Sequence, residues 1–175
     1  MKKQILLWQI AGIFIIFFLG FLWHFIYSLS GNLWFIALIA PVNESVWEHL
    51  KLAQFPFLLF SILQFFYIGR FNDNFVPART AALYVIPIII VTLHYSYRNI
   101  LGHPVLWLDI LIFGLSISIG QLISYYLMLK APFPNEWRNI SLIAILILFI
   151  IFAVLTCNPP HWSIFLDSST GKYGL

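Results

Sequence analysis

Apolar positions in this chain form long, nearly unbroken blocks separated by short polar stretches. A bilayer core about 30 Å thick needs about 20 apolar residues per spanning helix. The block from Ile5 to Leu29 meets that length. Lys2 and Lys3 precede it as they would in a signal peptide. The run is too long for a signal h-region, however, and no small-x-small cleavage site follows, so it predicts an uncleaved span (5–29). Further spans are predicted over 45–69, 81–100, 104–129 and 140–156, with Pro159-Pro160 stopping the last. Gly31 to Pro41 is apolar but only eleven residues long. At about 1.5 Å per residue it reaches about half way across, as a half-helix or interfacial segment. The pattern predicts an all-α polytopic transmembrane bundle of five spans plus that short segment. No repeat or linker interrupts it, so residues 1–175 read as a single integral membrane domain with an outer tail over 158–175.

Composition narrows the class. Hydrophobic residues make up 62% and charged residues 9%, against about 25% charged in soluble domains. That excludes a cytosolic enzyme and a disordered chain. The net charge of +3 is carried by scattered basic residues, so no nucleic-acid partner is expected. A single cysteine, Cys157, rules out a disulfide framework or a cysteine metal knuckle. With the N-terminus inside, Lys2, Lys3, Arg70, Arg79, Lys130 and Arg138 fall in inner segments, and Lys51, Arg98 and Lys172 in outer ones. This asymmetry predicts a cytoplasmic N-terminus and an external C-terminus.

That orientation puts His24, His49, His94, His103 and His161 on one side, together with Glu44, Glu48 and Asp109. Ionisable groups near membrane depth are costly and default to functional hypotheses. The plainer reading is an interfacial set of hydrated histidines within an aromatic belt of Trp23, Trp34, Trp47, Trp107 and Trp162.

The densest constellation is Asn43-Glu44-Ser45-Val46-Trp47-Glu48-His49-Leu50-Lys51. Ser45 and Glu48 have capping-box spacing, with Asn43 a competing cap. Glu44 and Glu48 share a helix face, four residues apart. Glu44, Glu48, His49 and Asp109 are therefore candidate acid–base residues. His24, His49, His94 and Glu48 are candidate ligands of a divalent cation such as zinc. Lys51, Arg98, His94, His161 and Trp47 are candidate ligand-binding residues. Arg98 can hold an anionic head group or simply snorkel. The aromatic tail, from Pro159-Pro160-His161 through Asp167 to Tyr173-Gly174, is either a lid over the same outer pocket or an anchor.

The Asn43–Lys51 motif and this tail together resemble a family of small bacterial multi-pass membrane proteins catalogued as a domain of unknown function. The resemblance covers essentially the whole chain. It implies a bacterial cell-membrane protein and no particular reaction.

There is no H-E-x-x-H or H-x-x-E-H signature, G-x-S-x-G elbow, P-loop or C-x-x-C. Three functions remain open. One is a metal-dependent hydrolase or transferase acting on a lipid or small amphiphile at the outer leaflet. The second is a non-enzymatic lipid or small-molecule binding or transport component, alone, as a homo-oligomer or with a partner subunit. The third is a haem or quinone protein using His24 and His94.

Overall fold

The computed structural model describes residues 2–175. Among the described residues there are seven α-helices: α1 (Lys2–Trp23), α2 (Ile26–Leu29), α3 (Trp34–Ala37), α4 (Val46–Tyr67), α5 (Phe75–Leu101), α6 (Leu106–Met128) and α7 (Glu136–Cys157). The five long ones are each long and apolar enough to cross a membrane. The fold is thus the expected all-α bundle. Helix α5 packs against α4, α6 and α7, while α1 packs against α4 and α6. Ile16, Phe57, Phe60, Ile86, Ile117 and Phe152 fill the centre.

Local chemistry sets the helix ends. Ser45 is extended, and its hydroxyl accepts the Glu48 N–H at 3.3 Å, which caps α4. Only half of the expected capping box forms. Asn43 Oδ1 takes the Ser45 N–H, and the Glu48 carboxylate turns elsewhere. Gly102, with φ of 78°, ends α5 in the left-handed conformation that glycine adopts without strain.

The first apolar block stops being one helix at Trp23. The chain continues as the single turns of α2 and α3, reversing through Gly31 and Asn32, which both have positive φ. The first predicted span (5–29) therefore ends as a helix six residues early, with α2 inside it, and the segment expected as a half-helix over 31–41 holds one turn, α3. The Trp23 indole N–H donates to the Ile39 carbonyl at 2.8 Å and ties this excursion back to α1. Helix α5 starts six residues before the apolar stretch that predicted it. Arg79 therefore lies inside the helix and is buried, not in a connecting loop.

Helices α1 and α4 touch backbone to backbone at one point. Pro56 has no N–H to give the Leu52 carbonyl, four residues earlier in α4. Gly20 of α1 lies against that freed oxygen: a Cβ built there would come within 2.8 Å of it, and within 2.6 Å of the Phe113 ring. Chain direction alternates, so the ends of α1, α5 and α7 meet the starts of α4 and α6 at one end of the bundle. At the other end Asn74 closes the loop after α6. Its amide donates to the carbonyls of Leu127, Lys130 and Ala131, and its oxygen accepts the Phe133 N–H.

Candidate functional site

Three polar centres share the first end. In the first, His24 follows the last residue of α1, Glu44 sits in the loop before α4, and His49 lies in the first turns of α4. His24 Nε2 is 3.7 Å from one Glu44 oxygen and His49 Nε2 is 3.3 Å from the other. The two imidazoles are 5.3 Å apart between centroids. One ligand atom from each residue lies within 4.8 Å of the others.

His49 is held from behind. The Ser45 carbonyl can only accept, so the 2.9 Å contact puts a proton on Nδ1; Nε2 faces Glu44, donating to it when the ring is charged and free for a cation when it is neutral. A backbone carbonyl holding the rear nitrogen is how metal-ligating histidines are usually oriented. The donor set of two imidazoles and a carboxylate fits a borderline divalent cation such as zinc. The Glu44 side chain is 50% exposed. Its hydrogen bond with His49 outweighs partial burial and, with the nearby His24, holds the carboxyl below its ordinary range. A cleft of about 450 Å³ opens beside this cluster, lined by Phe25, Tyr27, Asn32 and Pro41 as well as His24 and Glu44.

The second centre is sealed. Glu48 is 2% exposed and Lys51 0%. The Lys51 ammonium donates to Glu48 Oε2 at 2.7 Å and to the Ala37 carbonyl at 2.7 Å. Glu48 Oε2 also accepts the Val42 N–H, and its Oε1 accepts the Thr156 hydroxyl at 2.8 Å. Both carboxylate oxygens are engaged, and the pair staples the α3 excursion, α4 and α7 together.

The third is His94 on α5 with Asp109 on α6. Asp109 Oδ1 accepts from His94 Nδ1 and from the Tyr97 hydroxyl, each at 2.7 Å. His94 Nε2 is buried without a partner among the described residues. This dyad lies at the same end of the bundle as the first cluster.

The candidate metal ligands thus divide. His24 and His49 come together, with Glu44 as their carboxylate. Glu48 lies with Lys51, and His94 with Asp109. Trp47 packs between Phe152 and Phe165 at 4.8 and 5.1 Å. Arg98 forms no ion pair among the described residues. His161 is exposed and stacks on Tyr173 at 4.5 Å.

The tail does reach the Asn43–Lys51 segment. Asn43 Nδ2 donates to the Gly174 carbonyl at 2.9 Å, and Phe165 meets Trp47. Burial acts to raise the Asp167 carboxyl. Hydrogen bonds from Thr170 and Ser169 outweigh it and hold the group below its ordinary range. Sequence reasoning missed Thr156 and Tyr97, whose hydroxyls complete two of these centres. It also missed the buried glutamines, although Gln9, Gln54, Gln64 and Gln121 interrupt otherwise apolar blocks and could have signalled an internal polar site.

Neither a curated protein nor a solved structure matches this chain. A family model covers residues 1–175. The chain therefore belongs to DUF6512, a family of unknown function.

Proposed function

We propose that this protein is a metal-dependent hydrolase or transferase of the bacterial cell membrane, acting at the outer face on a lipid or small amphiphile. The carrying observation is the anchored His49 ring: Ser45 holds Nδ1, and Nε2 converges with His24 and Glu44 beside an open cleft. In this reading His24, His49 and Glu44 hold the cation. Such an ion supplies Lewis acidity and lowers the pKa of water. Asp109 and Tyr97 hold the His94 ring behind the site, with its Nε2 buried away from the cleft. Glu48 and Lys51 keep the walls in place without touching substrate. The apolar cleft wall of Phe25, Tyr27 and Pro41 suits an acyl or isoprenoid chain.

The same aromatic wall is what favours the second reading, a binding or transport component that captures an amphiphile without turning it over. Elemental analysis of detergent-purified protein decides the metal question. About one zinc or similar ion per chain is expected, and Glu44→Gln and His49→Ala should each release it while leaving the helix content unchanged. No stoichiometric metal under saturating supply would overturn the proposal. Incubation with a bacterial lipid extract, with and without chelator, then separates the readings. Chelator-sensitive loss of a lipid species supports an enzyme, and a copurifying lipid without turnover supports the binder.

A further inference from the structure

The most unusual charge in the molecule lies away from the histidine end. Arg79, in the second turn of α5, is 2% exposed. Its Nε–H donates to Ser61 Oγ at 2.8 Å, and Nη1 donates to Gln121 Oε1 at 2.6 Å and Gln9 Oε1 at 3.1 Å. The guanidinium lies 3.7 Å from the centroid of the Phe57 ring. These partners come from α1, α4 and α6, and all are neutral. The carboxylates of the chain are engaged elsewhere or exposed: Glu48 pairs with Lys51, Asp109 with His94 and Glu44 with His24 and His49. Asp73 and Glu136 face outward, and Asp167 is tied within the tail.

A buried ion carries a large desolvation penalty even after relaxation. Stacking on an aromatic ring returns only part of it. The positive end of the α5 dipole adds to the imbalance rather than relieving it.

The surrounding polar atoms point the same way. Arg79 Nη2, Gln121 Nε2, and both side-chain polar atoms of Gln54 and Gln64 are buried without partners among the described residues. Gln54, Phe57, Ser61 and Gln64 lie on one stripe of α4, at helical spacing. Gln54 and Gln64 are ten residues apart, about 15 Å along α4, so the unpartnered donors at the guanidinium itself are Arg79 Nη2 and Gln121 Nε2. Water brings no charge, so it does not neutralise this guanidinium. Helices α1 and α6 approach closely here: a Cβ at Gly12 would clash with Gln121 Nε2 and lie 2.5 Å from Phe60.

We propose that the interior beside Arg79 and Gln121 binds a small monovalent anion of halide size. The site is independent of the histidine cluster. Gln9 and His24 are fifteen residues apart along α1 and its extension, roughly 22 Å at helical rise.

The test is thermal unfolding of the full chain in detergent, with sodium chloride or sodium bromide replacing sodium gluconate at constant ionic strength. The expected result is a saturable rise in melting temperature, as for any ligand that binds only the folded state. Arg79→Gln should abolish the rise. A rise that persists in Arg79→Gln is a general salt effect and overturns the proposal, as does equal stability in chloride and gluconate. If Arg79→Gln does not fold, equilibrium dialysis of the wild-type chain against bromide decides. About one bromide per chain, reduced several-fold in Gln121→Leu, supports the site. No bound bromide, or binding unchanged in Gln121→Leu, removes it.

Discussion

Glu44 and Glu48 are four residues apart, yet they occupy opposite settings. Glu44 stands half exposed at the mouth of a cleft, facing two imidazoles whose nitrogens can bind a cation. Glu48 is buried, with a lysine, a hydroxyl and a backbone N–H on its two oxygens. Proximity in sequence and identity of residue type do not fix the role of a carboxylate here. The number of its lone pairs already taken, and the access of water to the rest, do so. A fully satisfied carboxylate is a staple, and an incompletely satisfied one beside a cleft is available for chemistry.

That contrast is most easily broken at the staple. Glu48→Gln or Lys51→Met leaves a buried charge without its partner, and each should lower stability by about 3–5 kcal/mol. The double change, which removes both charges, should recover part of that loss. Chemical denaturation followed by helix content measures both; a double variant as unstable as the sum of the singles would refute the pairing.

Thr156→Val removes one hydroxyl donor to a charged acceptor and should cost about 1.5–3 kcal/mol on the same measurement. It should leave cation affinity unchanged.

Glu44→Gln should do the reverse. Stability should stay within about 0.5 kcal/mol of wild type, as for most surface changes. Zinc affinity, by chelator competition, should fall at least about tenfold. Because imidazoles must be neutral to bind metal, wild-type affinity should also fall on acidification. A pH-independent affinity would count against histidine ligation.

Asp167 offers a third carboxylate setting, local to the tail, and the smallest effect. Its folded pKa lies below the unfolded value of about 3.9. Its contribution is therefore present above that value and is lost as pH falls through the folded pKa. Pepsin cleavage of the tail should increase on acidification below about pH 4 in wild type, with a smaller change in Asp167→Asn.

The bundle is legible in the sequence because apolar block length reports membrane spans directly, and Pro159-Pro160 marks the last stop. The Asn43–Lys51 segment is legible as a polar concentration. Its internal division is not, because His24 and Glu44 are brought together by the reversal through α2 and α3, which leaves no periodic trace. Arg79 reads as a loop residue because basic residues near span ends usually lie there. Its partners Gln9, Ser61 and Gln121 are scattered over three other helices, so nothing near it in the sequence marks the buried position.

The Gly20–Leu52 contact has a bearing on ion choice. His24 is four residues beyond Gly20, and His49 is three before Leu52, so each imidazole stands about one turn above the point where the two backbones touch. The aperture between the rings is therefore gauged by a missing side chain and by a carbonyl that Pro56 released. A cation held by these histidines would be sized by that backbone spacer more than by the ligands themselves. Widening it by a single methyl would move the two imidazoles apart and weaken the binding of a zinc ion, whose bonds to nitrogen are about 2.0–2.1 Å.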